Sequence, residues 1–353
     1  MPKFKIKFIS FTLILLLIIA FTTACTPKQS EPETATGEPI SKEDILLGTS
    51  CKVTIYDKTS RDVLDKVFDR IAEIEDKMTI NKETSEIITL NEKSGSEFVS
   101  LSPDTYEVIK RGLYYSDISK GKFDISIGPL VKLWGVGTPE ARVPSQAEID
   151  NTKPLINHKN ILLDEKNTKA MLKEKGMIVD LGAIAKGYAA DEVKRILLEN
   201  GVKHAIINLG GNIYALGTKP DKTDWKIGIQ NPFQSTGSYL GIIGVANKTV
   251  VTSGVYERYF EKGGKNYHHI LDTETGYPVE NSLVGVSIIA DKSIDGDGLS
   301  TSVFSLGLEK GMELIESLAT VDAIFITSDS EIYLSSGLKN KFTLTDTSFE
   351  IKN

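Results

Sequence analysis

Met177-Ile178-Val179-Asp180-Leu181-Gly182-Ala183-Ile184-Ala185-Lys186-Gly187-Tyr188 is the stretch on which the fold turns. Three apolar residues predict a strand over 177–179 that ends in Asp180. A small-residue turn follows, and the pattern then predicts a helix over 184–200, with Gly201 as its stop. Free N–H groups at a helix start favour a phosphate, and Gly182 would let a ligand approach the backbone. Lys186 falls in the first turn, where a cation opposes the helix dipole by ~0.3–1 kcal/mol. Gly187 inside a helix costs ~0.5–1 kcal/mol relative to Ala. Both costs have a reason if an anion docks there. The alternative is a helix–sheet junction with packing glycines and a solvated lysine.

Outward from this junction, strands and helices interleave. Strands are expected near 52–56, 205–208, 225–230, 249–252, 284–290 and 323–327. Helices are expected over 62–78, with Val63, Val67, Ile71 and Ile74 on one side, over 103–119 behind Pro103, and over 299–317. Strand and helix blocks without a strict βαβ rhythm predict an α+β fold, a single domain with a mixed β-sheet core and flanking helices. No repeat or linker divides residues 45–350.

The N-terminus has its own logic. Lys3, Lys5 and Lys7 precede an apolar run from Phe8 to Phe21, then Thr22-Thr23-Ala24-Cys25. A basic head, an apolar stretch and small residues make a secretory signal over 1–24. The run is 14 residues, about 21 Å as helix and short of the ~30 Å hydrocarbon core. Cys25 after a small residue is similar to a lipobox, whose cysteine is lipidated, although Thr22 departs from the usual Leu. An uncleaved anchor or plain signal cleavage is the other reading. Residues 25–44, rich in Pro, Glu, Thr and Ser, are expected to be a disordered tether. The folded part is then an extracytoplasmic domain held to the cell membrane by lipid.

With net charge −7 and no basic stripe, the chain repels a phosphate backbone, so nucleic acid is excluded as a partner. Cys25 and Cys51 are the only cysteines, and with Cys25 lipidated the fold stands without a disulfide. No CxxC, HExxH or Walker A pattern occurs.

Three further segments carry candidate chemistry. In Asp297-Gly298-Leu299-Ser300-Thr301, a helix from Gly298 would turn Asp297 and Thr301 to one side. A carboxylate and a hydroxyl at that spacing suit Mg²⁺, while ordinary helix capping explains the same residues. His268-His269 stands before a turn-forming DTETG, and a near-neutral imidazole can take a proton from a hydroxyl nucleophile; a structural His pair is the alternative. Lys122-Phe123-Asp124 lies among Gly and Pro turns, where an aromatic could grip a planar ring or simply be buried.

Order joins these segments. LGT (47–49), MTIN (78–81), GKFDISIGPLVKLWG (121–135), DLGAIAKGYAAD (180–191), INLGGNIYALG (207–217), IGIQNP (227–232), TSGVYERYF (252–260), HHILDTETGYP (268–278) and DGLST (297–301) follow one another. The series closely resembles the FAD:protein FMN transferase (ApbE) family over roughly residues 45–340. The resemblance implies a lipid-anchored enzyme that cleaves FAD with Mg²⁺ and esterifies FMN to a Thr or Ser of a redox flavoprotein, releasing AMP. It implies metal ligation by Asp297, Thr301 and the carbonyl of Ala183, with Ser300 close by. It places FAD against Leu47, Asn81, Lys122, Phe123, Asp124, Asp180, Lys186 and Leu271. His269 is the expected base, with Asp180 the alternate. Leu47 stands where the family often has Met. Thr273 stands for the usual Pro, which is expected to loosen a turn, and Asn81 stands for a Tyr that many members carry, which is expected to hold flavin less firmly. A hydrolase giving FMN and AMP, and a non-catalytic flavin binder, stay open as alternatives.

Overall fold

The computed structural model describes residues 38–353, so the signal segment, Cys25 and the tether up to residue 37 lie outside the described residues. A nine-stranded sheet organises the rest. Its order is Ile40–Leu46, Thr49–Ile55, Ala205–Leu209, Asn212–Leu216, Lys248–Gly254, Leu283–Ala290, Asp322–Thr327, Glu331–Leu334 and Glu350–Ile351. Neighbours run antiparallel except the final pair, which is parallel, so the sheet is mixed as expected. The fold is α+β.

Alternation along each strand feeds two cores. Ala323 and Phe325 point to the helical side, where Val67, Ile71, Val193 and Val303 pack. Ile324 and Ile326 point to the other side, against Trp225, Ile227, Leu240 and Ile243 of a three-stranded sheet made by Phe342–Leu344, Tyr239–Val245 and Trp225–Gln230. A sheet covered on both faces needs apolar residues on both. That explains why 283–290 and 322–327 are nearly continuous apolar runs.

Four expectations change. Strand Ile40–Leu46 pairs along its whole length with Thr49–Ile55, so the ordered fold starts ahead of residue 45 and overlaps the expected tether. Its side chains are mostly exposed because only one neighbour pairs with it, which left no apolar pattern to read. Residues 177–179 form no strand; Ile178 makes only an isolated bridge to Ile127. The helix expected over 299–317 is two helices, Ser293–Leu306 and Leu308–Ser317, separated at Gly307 with φ +80°. Strand Glu350–Ile351 carries the fold one residue past 350. Helices Asp62–Met78, Pro103–Ile118 and Ala185–Glu199 stand close to expectation, and Gly201 follows the last with φ +79°. Among the described residues, no helix is long and apolar enough to cross a membrane.

Candidate active site

Two helices meet at the site. Ala185–Glu199 crosses Ser293–Leu306 so closely that a Cβ on Gly187 would lie 2.3 Å from the Ser293 carbonyl oxygen. Gly187 is therefore required for packing. The same approach brings its N–H to Asp297, whose Oδ2 accepts it at 2.6 Å. A set of charges behind the first helix holds it in place. Arg70 pairs with Asp104 at 2.7 Å and Glu192 at 2.9 Å, and the Tyr188 hydroxyl donates to Asp104 at 2.6 Å.

Asp297 lies in the second turn of Ser293–Leu306, not at its start, and is 3% exposed. The start is capped from elsewhere: Asp191 accepts the N–H groups of Ser293 (2.9 Å) and Ile294 (3.0 Å). Capping thus does not explain Asp297. Its Oδ1 accepts from Asn212 Nδ2 at 3.1 Å, and the Ser293 hydroxyl orients Asn212 by donating to its Oδ1 at 2.5 Å. Burial pushes the Asp297 carboxyl up, while Lys186, 3.8 Å from Oδ2, works against that rise. Each of its oxygens accepts one hydrogen bond, which leaves lone pairs for a further partner.

Thr301 follows one turn on, and its Oγ1 lies 3.4 Å from the Ser253 hydroxyl. Asp180 accepts the Gly182 N–H at 2.8 Å, which folds the 182–184 turn and leaves Ala183 exposed at its tip. Burial pushes the Asp180 carboxyl up; Lys186, Arg258 and Lys132 oppose it. The ring of His269 sits beside Arg258, and since a carbonyl can only accept, Nδ1 carries the proton it donates to Arg258 O at 3.2 Å. Nε2 is then the free acceptor. Burial, with help from Arg258 and Lys186, drops this imidazole to about 4. The positive charge of Lys186 lowers Asp180, His269 and Asp297 alike, so all three lie within its reach.

A model of the ApbE family matches residues 47–325 of this chain. The chain belongs to the ApbE family. An FAD:protein FMN transferase of Klebsiella pneumoniae (strain 342) is 37% identical over 307 residues, 87% of this chain and 95% of that protein. One from Treponema pallidum (strain Nichols) is 32% identical over 329 residues, 88% and 91% of the two chains. Among solved structures, the ApbE protein of Thermotoga maritima superposes with a TM-score of 0.79 at 31% identity, over 86% of this chain and 98% of that one. The flavin transferase ApbE of Vibrio cholerae gives 0.78 at 26% identity, over 86% and 99%.

The residues that the ApbE resemblance singled out divide into two groups. Asp180, Ala183 and Lys186 lie at the start of the Ala185–Glu199 helix, Asp297 bonds to its Gly187 N–H, Thr301 stands one turn further along Ser293–Leu306, and His269 lies within reach of the Lys186 charge. The side chains of the others are used differently. Ser300 is 1% exposed; its hydroxyl donates to the Asp297 carbonyl and accepts from Ser253, so it shapes the helix and is not an open ligand. Phe123 is 4% exposed, packed edge-on against Tyr115, and offers no face to a ring. Asp124 spends both oxygens internally, on the N–H and hydroxyl of Ser126 and on the N–H and Nδ1 of His158. Leu271 is buried with Leu130, Trp134 and Ile149, which leaves only its main chain for a ligand. Lys122 pairs with Asp272 at 3.2 Å and Glu274 at 3.0 Å. Asn81 is exposed in the turn after Asp62–Met78. Leu47 and Gly48, with φ +53° and +68°, form the two-residue turn of the first hairpin. Thr273 tightens its loop, contrary to expectation, because its hydroxyl donates to Gly121 O at 2.8 Å. Asn212 and Ser253, at strand ends, and Arg258, in the turn before Tyr259, touch Asp297, Ser300 and His269; they lie in quoted ApbE motifs, but no local spacing signals these contacts.

Proposed function

We propose that this chain is a Mg²⁺-dependent transferase that cleaves FAD and attaches FMN through a phosphoester to a Thr or Ser of a redox flavoprotein, releasing AMP. The observation that supports it best is the pairing of Lys186 with the buried Asp297, 3.8 Å apart, with Thr301 one turn on. A flavin binder has no need of a cation and a buried carboxylate held together in this way.

The donors fit the metal. Asp297 supplies a carboxylate, Thr301 a hydroxyl and Ala183 a backbone carbonyl, all hard oxygens. Among the described residues no group of three or more His, Cys, Asp or Glu is placed to hold a metal. So few protein donors suit an ion that keeps waters and takes substrate phosphate oxygens. Bound there, Mg²⁺ would neutralise pyrophosphate charge in the transition state.

The chain's own residues do the rest. Lys186 places a positive charge against the pyrophosphate, and the exposed Gly182 and Ala183 bring the backbone to it. His269 Nε2 takes the proton from the acceptor hydroxyl, whose oxygen attacks the FMN phosphorus. The bond from that phosphorus to the bridging oxygen breaks, and AMP departs with that oxygen. Arg258 O fixes the imidazole tautomer that this step needs. Asp180 orients the turn and serves less well as base, since its Oδ1 is engaged by Gly182.

We place the enzyme outside the cytoplasm, tethered by lipid on Cys25; incorporation of a labelled palmitate that is lost in Cys25→Ser tests this. The activity is tested with FAD, Mg²⁺ and a Thr-bearing flavoprotein subunit, with and without chelator. Covalent flavin fluorescence on the subunit, abolished by chelator, is expected. Free FMN and AMP without labelling would make the chain a hydrolase, and intact FAD would make it a binder.

A further inference from the structure

We infer that Asn91 is a positioning residue, a side-chain clamp that fixes the backbone leading into Asp180 and joins it to the Asn81 turn. The segment 177–179 has the apolar character of a strand but lacks a ladder. On one edge, Asp180 N donates to Ile125 O at 2.8 Å, and Ile178 bridges Ile127. On the other edge no strand is present. Instead the Asn91 amide makes both bonds that a neighbouring strand would make to Val179: Oδ1 accepts its N–H at 2.7 Å, and Nδ2 donates to its carbonyl at 3.0 Å. The partners are 88 residues apart in sequence.

Asn91 is itself held firmly. It belongs to the helix Glu86–Glu92, opened by Ser85, whose hydroxyl accepts from Ile88 N. That hydroxyl donates to Thr79 O at 2.6 Å, which ties down the turn carrying Asn81. A single side chain thus connects the two walls of a groove of about 320 Å³, lined by Ile80, Ile88, Asn91, Lys132, Met177 and Ile178. Loss of the clamp would leave Val179 with two unpaired backbone groups and let the following residues shift. Asp180, the 182–184 turn and Lys186 would move with them. A displacement near 1 Å in a positioning element costs about 10²-fold in rate.

The inference rests on the transferase reading for its kinetic half only. The test uses Asn91→Leu, which keeps side-chain volume and removes both bonds, and Asn91→Ala. Two quantities are measured: kcat and KM for FAD cleavage, and amide exchange by mass spectrometry across 177–184 and across the central strands 205–209 and 283–290. The expected result is a 10- to 100-fold fall in kcat with a smaller change in KM. Exchange should be faster at 178–182 and unchanged in the central strands. Rescue of neither quantity by Leu excludes a mere packing role. Wild-type kcat despite faster exchange at 178–182 would overturn the inference, as would unchanged exchange there. Faster exchange in the central strands alongside it would also overturn it, by making Asn91 a general support of the fold. The exchange result stands even if FAD proves not to be the substrate, so the two failures are separable.

Discussion

Gly187→Ala is the sharpest perturbation the structure offers, because helix propensity and packing predict opposite signs. Ala is favoured over Gly in a helix interior by ~0.5–1 kcal/mol. Yet the new methyl would stand 2.3 Å from Ser293 O and 2.6 Å from Ile294 Cα. Both are backbone atoms, so no side chain can rotate away, and the two helices must part by about 1 Å to restore ordinary contact. Overpacking of this kind costs ~1–3 kcal/mol. The parting also lengthens the 2.6 Å bond from Gly187 N–H to Asp297 Oδ2. A hydrogen bond to a charged acceptor contributes ~1.5–3 kcal/mol. Packing outweighs propensity, and with that bond lost the variant should be less stable by ~1.5–5.5 kcal/mol net of the helix gain. Because Lys186 and Asp297 sit on the separating helices, the rate should fall about 10²-fold at saturating Mg²⁺. Urea unfolding measures the first quantity and release of AMP from FAD the second. A variant more stable than wild type with unchanged turnover would show that the helices are not in the contact described, and the account of Asp297 would fail with it.

Other outcomes follow from the same geometry. Mg²⁺ at a hundred times its Kd should stabilise the wild type by about 2.7 kcal/mol; in Asp297→Asn that increment should vanish together with chelator-sensitive turnover, and an unchanged Mg²⁺ increment would move the metal elsewhere. His269, held at about 4 by burial, binds a proton in the unfolded chain before it does so in the native one. Its contribution to stability is therefore complete above its ordinary value of 6.5 and is lost as pH falls toward 4. The acid limb of kcat/KM should lie near 4 to 5, and a limb at 6.5 that disappears in His269→Ala would contradict the lowered imidazole. Thr273→Val removes the bond to Gly121 O and should cost ~1 kcal/mol in thermal unfolding; no loss would show that the loop holds without it. Cys51 is fully buried, with its thiol pushed up to about 11, so the folded domain should resist a thiol reagent that reacts at once after denaturation.

Much of this architecture was legible in the residues, and the gaps have physical causes. Helix 62–78 could be read because a continuous apolar face points to one core. Asp180, Lys186 and Asp297 could be singled out because each lies in a motif of the ordered ApbE series. The start of Ser293–Leu306 could not. Gly296 and Gly298 look like loop residues locally, yet Gly296 lets the helix lie on Val251 and Gly298 receives the ring of Tyr115. Its cap, Asp191, comes from another helix, so no nearby residue announces the start. The 177–179 segment failed for a related reason: its partner is a side chain, and strand propensity says nothing about what will occupy an edge. The motif around Phe123 and Asp124 points to ligand contacts, whereas their partners Tyr115 and His158 carry no local signal.

The distant cap on Ser293–Leu306 also bears on when activity can arise. Asp191 and Asn212 precede Ser293 and Asp297 by 102 and 85 residues. Until the last quarter of the chain docks, the Ser293–Leu306 helix has no cap and Lys186 has no Asp297 beside it. A chain cut before residue 293 should therefore leave FAD intact, which release of AMP would check.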